Sequence, residues 1–404
     1  MKTGDLKELF YPKTIAIIGA SENENKVGGI LLKKALKFKG NVIPINPAHE
    51  NLFGKKCYSS IKDCPGTIDL AVIATPKETV KSIILECAKK RVPFVIIITA
   101  GFAEVGNEKT QREILNIAEK ANIRILGPNC FGIFNPELNL DLTFANTTPK
   151  KGGIVFISQS GALWSYFSDI KNIGYSGYIS LGNMSDLEFS DFIEFFNKDK
   201  KTKKIILYIE KLKNGKRFLE LCKKSKKKII AIKAGSSRQG SKAAISHTGS
   251  LATDFKIYEG AFRQVKITQI ENLFSKIKIP KSNAIIITNA GGAGALISDA
   301  CENKGVKVIK DIDVLGTALP EDYKKALEHA EKIKCSTIIV ILTPQKMSKP
   351  EQTAQEIINS SKKTKKHIIA CFLGEASISK AEAMLKKAGI YCFIGREEVK
   401  RLVR

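Results

Sequence analysis

Short apolar runs alternate along the chain with stretches whose apolar positions recur every three or four residues, the signature of strands alternating with amphipathic helices. Thr14–Ile18 ("TIAII") reads as a buried strand, "GASENENKVGG" as a glycine-rich turn, and Val27 to Phe38 as a helix. Further strands are expected at 41–47, 69–76, 93–102 and 123–130, with helices between the later ones. The later strands end in small polar residues: Thr75-Pro76, Thr99-Ala100-Gly101 and Gly127-Pro128-Asn129. Turn chemistry alone places such residues at strand ends. Together they also fit the carboxyl edge of an open parallel sheet, where ligands bind.

A linker with Pro136 and Pro149 leads to a second unit. It opens with "GGIVFISQSGAL" (152–163) and continues through strands at 177–180, 203–210 and 227–234. A third unit follows Pro280, beginning with "NAIIITNAGGAGALISDACE" (283–302) and carrying "CSTIIVILTPQ", "KKHIIACFLG" and "IYCFI" as further strands. The expected architecture is α/β: an N-terminal Rossmann-like domain (1–147) followed by two flavodoxin-like parallel-sheet domains (148–280 and 281–404). The 404 residues suffice for three domains of ordinary size.

Composition narrows the class. Runs such as "FVIIIT" are too short to cross a bilayer, and the first residues mix charge with apolar side chains, so a cytoplasmic protein without a membrane partner is expected. The nine cysteines are scattered, with no Cys-x-x-Cys pair and no clustering with the four histidines; no metal site is expected. The net charge of +26 comes mostly from lysine runs such as "KKSKKK" without interleaved aromatics, which reads as a solvated basic surface rather than a nucleic-acid face.

Three turns carry candidate chemistry. Ser158-Gln159-Ser160-Gly161 puts hydroxyls and free amides at a helix start, an anion-binding arrangement. Gly291-Gly292-Ala293-Gly294 is a second such start, or else a close helix–strand turn. The third is Ser246-His247-Thr248-Gly249-Ser250. An imidazole on a glycine/serine loop can act as nucleophile or proton carrier, or can simply bond to backbone. Glu210, at the end of an apolar strand, can orient His247 by accepting one ring proton, or can be a strand-end acid.

"IAIIGAS…KVGG", "GPNCFGIFN", "FISQSGAL…SLGN", "AAISHTGSLA" and "TNAGGAGALISDACE" together resemble the α subunit of ADP-forming acyl-CoA (acetyl-CoA) synthetase, of the succinyl-CoA synthetase superfamily. The resemblance implies acyl-CoA + ADP + phosphate ⇌ acid + CoA + ATP, through an acyl phosphate and a phosphohistidine. It makes His247 the phosphorylated residue and Glu210 the carboxylate that steadies it. Ser160 and Gly161, with Gly292 to Gly294, become helix starts that hold phosphate. Gly19, Ser21, Lys26, Thr75, Thr99, Ala100 and Asn129 would line the site for coenzyme A or acyl-CoA. The small carboxylic acid and phosphate would meet there. The chain carries no ATP-grasp domain, so ADP/ATP with Mg would sit on a separate ATP-grasp β subunit in an α2β2 assembly. Two further departures stand out: Lys211 replaces a small residue after the glutamate, and "DIDVLGTAL" (311–319) replaces an Asn-Pro-Val-Asp-like stretch in a third domain that reads as shortened.

Those departures also admit a non-catalytic CoA-binding regulatory protein that keeps the fold. A serine hydrolase built on Ser160 and His247 is a third reading, although G-x-S-x-G lacks its leading glycine because position 158 is Ser.

Overall fold

The computed structural model describes residues 5–241, 255–280 and 282–404. His247 lies outside the described residues. Three large sheets run in chain order, each with central isoleucine-rich strands buried on both faces, as parallel sheets covered by helices require, while the edge strands at 268–270 and 307–313 are largely exposed or half-buried.

The first sheet comprises β1 (Thr14–Ile18), β2 (Asn41–Ile45), β3 (Leu70–Ile73), β4 (Phe94–Ile97) and β5 (Arg124–Leu126), all parallel in the order β2-β1-β3-β4-β5. The helix after β1 runs from Val27 to Ala35, shorter than the pattern to Phe38 suggests. Phe38 stays buried as an apolar residue of the turn beyond it.

The stretch read as a linker instead holds two short strands, β6 (Ile133–Asn135) and β7 (Leu140–Asp141). They join the second sheet with β8 (Lys150–Ser158), β9 (Gly174–Ser180), β10 (Lys204–Ile209), β11 (Lys228–Lys233) and β12 (Thr268–Ile270). The order is β12-β11-β10-β8-β9-β6-β7, with β6 antiparallel to both β9 and β7.

The third sheet is a five-stranded parallel one: β13 (Asn283–Thr288), β14 (Lys307–Asp313), β15 (Thr337–Leu342), β16 (His367–Phe372) and β17 (Cys392–Phe393), ordered β14-β13-β15-β16-β17. The divergent "DIDVLGTAL" stretch begins inside β14 and continues into the turn after it.

One apolar core runs from the second sheet into the third. Trp164 stacks on Tyr178 at 4.2 Å and Phe156 on Phe167 at 4.4 Å within it. Polar ties fix the two units. The buried Asp169 carboxylate accepts from the Glu375 amide (2.9 Å), the Ser377 amide (3.0 Å) and the Ser377 hydroxyl (2.5 Å). Between the first and second sheets, the Arg124 guanidinium makes a two-pronged bond to Asp186 at 2.9 and 3.0 Å.

Each sheet has one topological switch point, between β1 and β3, between β8 and β10, and between β13 and β15. Ligands of open parallel sheets bind at such points because neighbouring connections leave on opposite faces and open a crevice.

Candidate active site

The three switch points open on one cavity of about 620 Å³. The first sheet contributes Thr75, Thr99, Ala100 and Asn129; the second contributes Gln159, Ser160 and Gly161; the third contributes Asn289, Gly291 and Gln345. Residues far apart in the chain thus share one chamber.

The two glycine turns that face it are built alike. At the end of β8 the Ser158 hydroxyl donates to the Ser160 carbonyl (2.7 Å). At the end of β13 the Thr288 hydroxyl donates to the Ala290 carbonyl (3.0 Å). Each strand-terminal hydroxyl locks a tight turn into the helix that follows, Ala162–Asp169 in one case and Gly291–Asn303 in the other. Ser158 therefore shapes the turn and leaves Ser160 to face the cavity.

Helix starts carry amides with no partner inside the helix and a partial positive charge. The Gly294 amide is already used, since it donates to the Ala290 carbonyl at 2.9 Å. The amides available to an anion are those before it, Gly291 to Ala293, of which Gly291 lines the cavity. Gly292 is where the two turns meet: a Cβ there would lie 2.4 Å from Ser160 Oγ. Gly161 is equally constrained, its Cβ position 2.5 Å from that of Phe131. Only glycine allows these approaches. Ser160 is 1 % exposed and its hydroxyl has no hydrogen-bond partner among the described residues. A buried hydroxyl costs free energy unless something bonds it, so this oxygen fits an anion held between the helix tips.

Glu210 does not line the cavity; it sits behind Gln159 at the end of β10. Gln159 is 3 % exposed and its carbonyl accepts from the amides of Glu210 (2.7 Å) and Lys211 (2.9 Å). One side chain thus ties the anion turn to the glutamate. Burial, and after it the Glu210 carboxylate, holds the Tyr208 hydroxyl well above its ordinary pKa. That hydroxyl donates to the Gly292 carbonyl at 3.2 Å, linking Glu210's strand to the other helix tip. Burial pushes the half-buried Lys211 ammonium down, against the pull of Glu210.

On the first-sheet side the Thr99 hydroxyl donates to the Thr75 carbonyl (2.7 Å). Asn129 has φ +54° and donates its amide to the Thr99 carbonyl (2.9 Å). Gly19, Ser21 and Lys26 stand at the end of β1 and outside the 620 Å³ cavity, although Val27 lines it. Gly19 has φ +87° and packs on Ala74 and Thr75, so it brings that loop against the strand end that does line the chamber. Cys130 also faces the cavity, but burial pushes its thiol up to about 12, which keeps it protonated and unreactive.

Sequence reasoning passed over Asp299. This 1 %-exposed carboxylate on the helix Gly291–Asn303 accepts from the amides of Gly235 (2.9 Å) and Ser237 (2.7 Å). Glu302, one turn further on, accepts from the Gln239 amide at 2.7 Å. The stem leading to the His247 segment is therefore fastened to the helix whose N-terminus faces the cavity. The available signal was a carboxylate in the middle of the apolar run "ALISDAC". Among the described residues no cluster could hold a metal ion, and no helix is long and apolar enough to cross a membrane.

A family model described as a CoA binding domain matches residues 13–136, and one described as a succinyl-CoA ligase like flavodoxin domain matches 151–279. The chain is 39 % identical to the α subunit of acetate–CoA ligase (ADP-forming) II of Pyrococcus furiosus, over 98 % of this chain and 95 % of that one. It is 44 % identical to an acetate–CoA ligase (ADP-forming) of Methanocaldococcus jannaschii over 97 % of this chain, which spans 62 % of that protein's length. Among solved structures, an acetyl-coenzyme A synthetase 1 of Ca. Korarchaeum cryptofilum, in complex with phosphate and ADP, superposes with a TM-score of 0.66 at 32 % identity, covering 99 % of this chain and 96 % of that one. On this near end-to-end match to an α subunit, the chain belongs to the ADP-forming acetate–CoA ligase family.

Proposed function

We propose that the chain is the α part of an ADP-forming acyl-CoA synthetase that converts acyl-CoA, ADP and phosphate to acid, CoA and ATP. The observation that carries this reading is the unpartnered Ser160 hydroxyl, buried between two helix N-termini on the wall of a chamber shared by all three sheets. The near full-length relatives named as ADP-forming acetate–CoA ligase α subunits favour it over a regulatory role.

In this reading the thioester arm of CoA enters along Thr75, Thr99, Ala100 and Asn129. Gly19, Ser21 and Lys26 lie further out along the same sheet edge, where a lysine can meet a CoA phosphate as a point charge. Phosphate rests between the helix tips at Ser160–Gly161 and Gly291–Ala293. Fixed amides there cost no reorganisation when charge develops. A phosphate oxygen attacks the thioester carbon, the C–S bond breaks, and CoA leaves as thiolate. A ring nitrogen of His247 then attacks phosphorus and the carboxylic acid departs as carboxylate. Glu210, whose backbone amide is held by Gln159, accepts a hydrogen bond from the N–H of the other ring nitrogen, and its negative charge stabilises the cationic ring. ADP, with Mg, takes the phosphoryl group on a separate ATP-grasp β subunit in an α2β2 cytoplasmic assembly.

Incubation of the chain and its partner with acetyl-CoA and radiolabelled phosphate tests this. The expected product is an acid-labile, base-stable label that His247→Ala abolishes without weakening CoA binding. An unlabelled wild type, partner present, overturns the proposal.

A further inference from the structure

The cavity wall between the CoA side and the phosphate side is aromatic. Phe131 follows directly on the Asn129-Cys130 strand end, and Phe144 comes from the segment beyond β7. Their ring centroids are 3.7 Å apart, tilted by 37°. Phe131 is buried, with its Cβ 2.5 Å from where a Cβ on Gly161 would stand, so it touches the helix start assigned to phosphate. Phe144 is half-buried, and its position is set by the loop that follows β15 of the third sheet. Its carbonyl accepts from the Lys346 amide (3.0 Å), and neighbouring Ala145 pairs with Gln345. Gln345 is itself locked, its carbonyl accepting from the Asn289 amide group at 2.8 Å.

A thioester carbon attacked by phosphate at the Gly161 helix start, with its sulfur arriving from the first sheet, must direct its acyl group at this pair. We infer that Phe131 and Phe144 form the floor of the acyl subsite and set the size of acid accepted. The inference rests on reading the cavity as the thioester site. On this assignment the two touching rings close that end of the chamber, so that it admits a short aliphatic acyl group and turns away an arylacetyl group. Cavity-lining aromatics set such limits sterically, because the chamber's interior can relax only partly.

The test is calorimetric titration of the purified chain with CoA, acetyl-CoA and phenylacetyl-CoA, which needs no turnover. Phe144→Ala is expected to shift the affinity ratio toward phenylacetyl-CoA by about tenfold or more while leaving free CoA binding unchanged. Phe144→Leu, the gentler change, is expected to move it the same way by less, and keeps the test open if the alanine variant does not fold. An unaltered ratio in a folded variant overturns the acyl-floor assignment alone. A wild type that binds none of the three ligands overturns the reading of the cavity itself.

Discussion

Ser160 and Gly292 sit opposite one another across the meeting point of two helix starts, so close that a methyl group on the glycine would come within 2.4 Å of the serine oxygen. The same position would lie 3.0 Å from the Tyr208 hydroxyl. Gly292→Ala therefore pushes Ser160 and Tyr208 out of place at the helix start assigned to phosphate. It is expected to cost about 1–3 kcal/mol of stability through overpacking. Phosphorylation of His247 should fall about a hundredfold, as when a developing oxyanion loses a preorganised donor. Thermal unfolding and label incorporation measured on one preparation separate the two effects. A variant labelled at the wild-type rate would show that the anion rests elsewhere.

Gln159 offers a second handle. Its side-chain carbonyl is the acceptor for two consecutive amides, Glu210 and Lys211. Gln159→Ala leaves both without it in a buried site and is expected to destabilise the chain by about 2 kcal/mol or more. Gln159→Glu keeps an acceptor oxygen in place and should restore much of that stability. It also sets a negative charge beside the phosphate turn, so its phosphorylation should remain low. Recovery of both properties in the glutamate variant would argue against an anion at this turn.

The glycine turns were legible in the sequence because strand, glycine turn and helix are local, and each leaves a mark within a dozen or so residues. The Ile-rich strands were legible for the same reason. Residues whose roles arise across the chain left no such mark. Asp299 reaches an amide 64 positions away, and Phe144 is held by backbone of the loop after β15. The strands Ile133–Asn135 and Leu140–Asp141 are too short to show a period, and Pro136 between them reads as a breaker. Gly294 fits the glycine pattern of a phosphate turn, yet its amide is already used inside the helix. Only coordinates separate a free amide from a used one.

Asp299 is expected to govern the His247 segment without touching substrate. Asp299→Ala removes the acceptor of the Gly235 and Ser237 amides. A loss of about 2–3 kcal/mol is expected from those buried donors. Asp299→Asn keeps one acceptor oxygen and should lose less. In both variants phosphorylation by acetyl-CoA and phosphate should slow while the affinity for CoA, which the proposed function places at the first sheet, stays unchanged. Parallel loss of CoA binding would mean that the helix Gly291–Asn303 carries the whole chamber rather than the stem.

Lys233 gives a pH-dependent prediction. It ends β11, is buried, and its ammonium lies 4.6 Å from the centre of the Tyr258 ring. Burial pushes the ammonium down from 10.5 to about 8, with Glu210 and Asp299 pulling the other way. Below pH 8 the folded and unfolded chains both carry this proton, and the folded state bears the cost of burying it. Between about 8 and 10.5 the folded chain has released the proton and the unfolded chain has not, so stability from this group rises with pH across that window. Lys233→Met keeps the apolar stem and removes the titration. Relative to the variant, the wild type should gain about 3 kcal/mol over the window, from the size of the shift. Urea unfolding of both proteins at neutral pH and at two points inside the window measures the difference. Parallel stability profiles would mean that the ammonium reaches water, and a wild type that loses ground to the variant as pH rises would reverse the sign of the coupling.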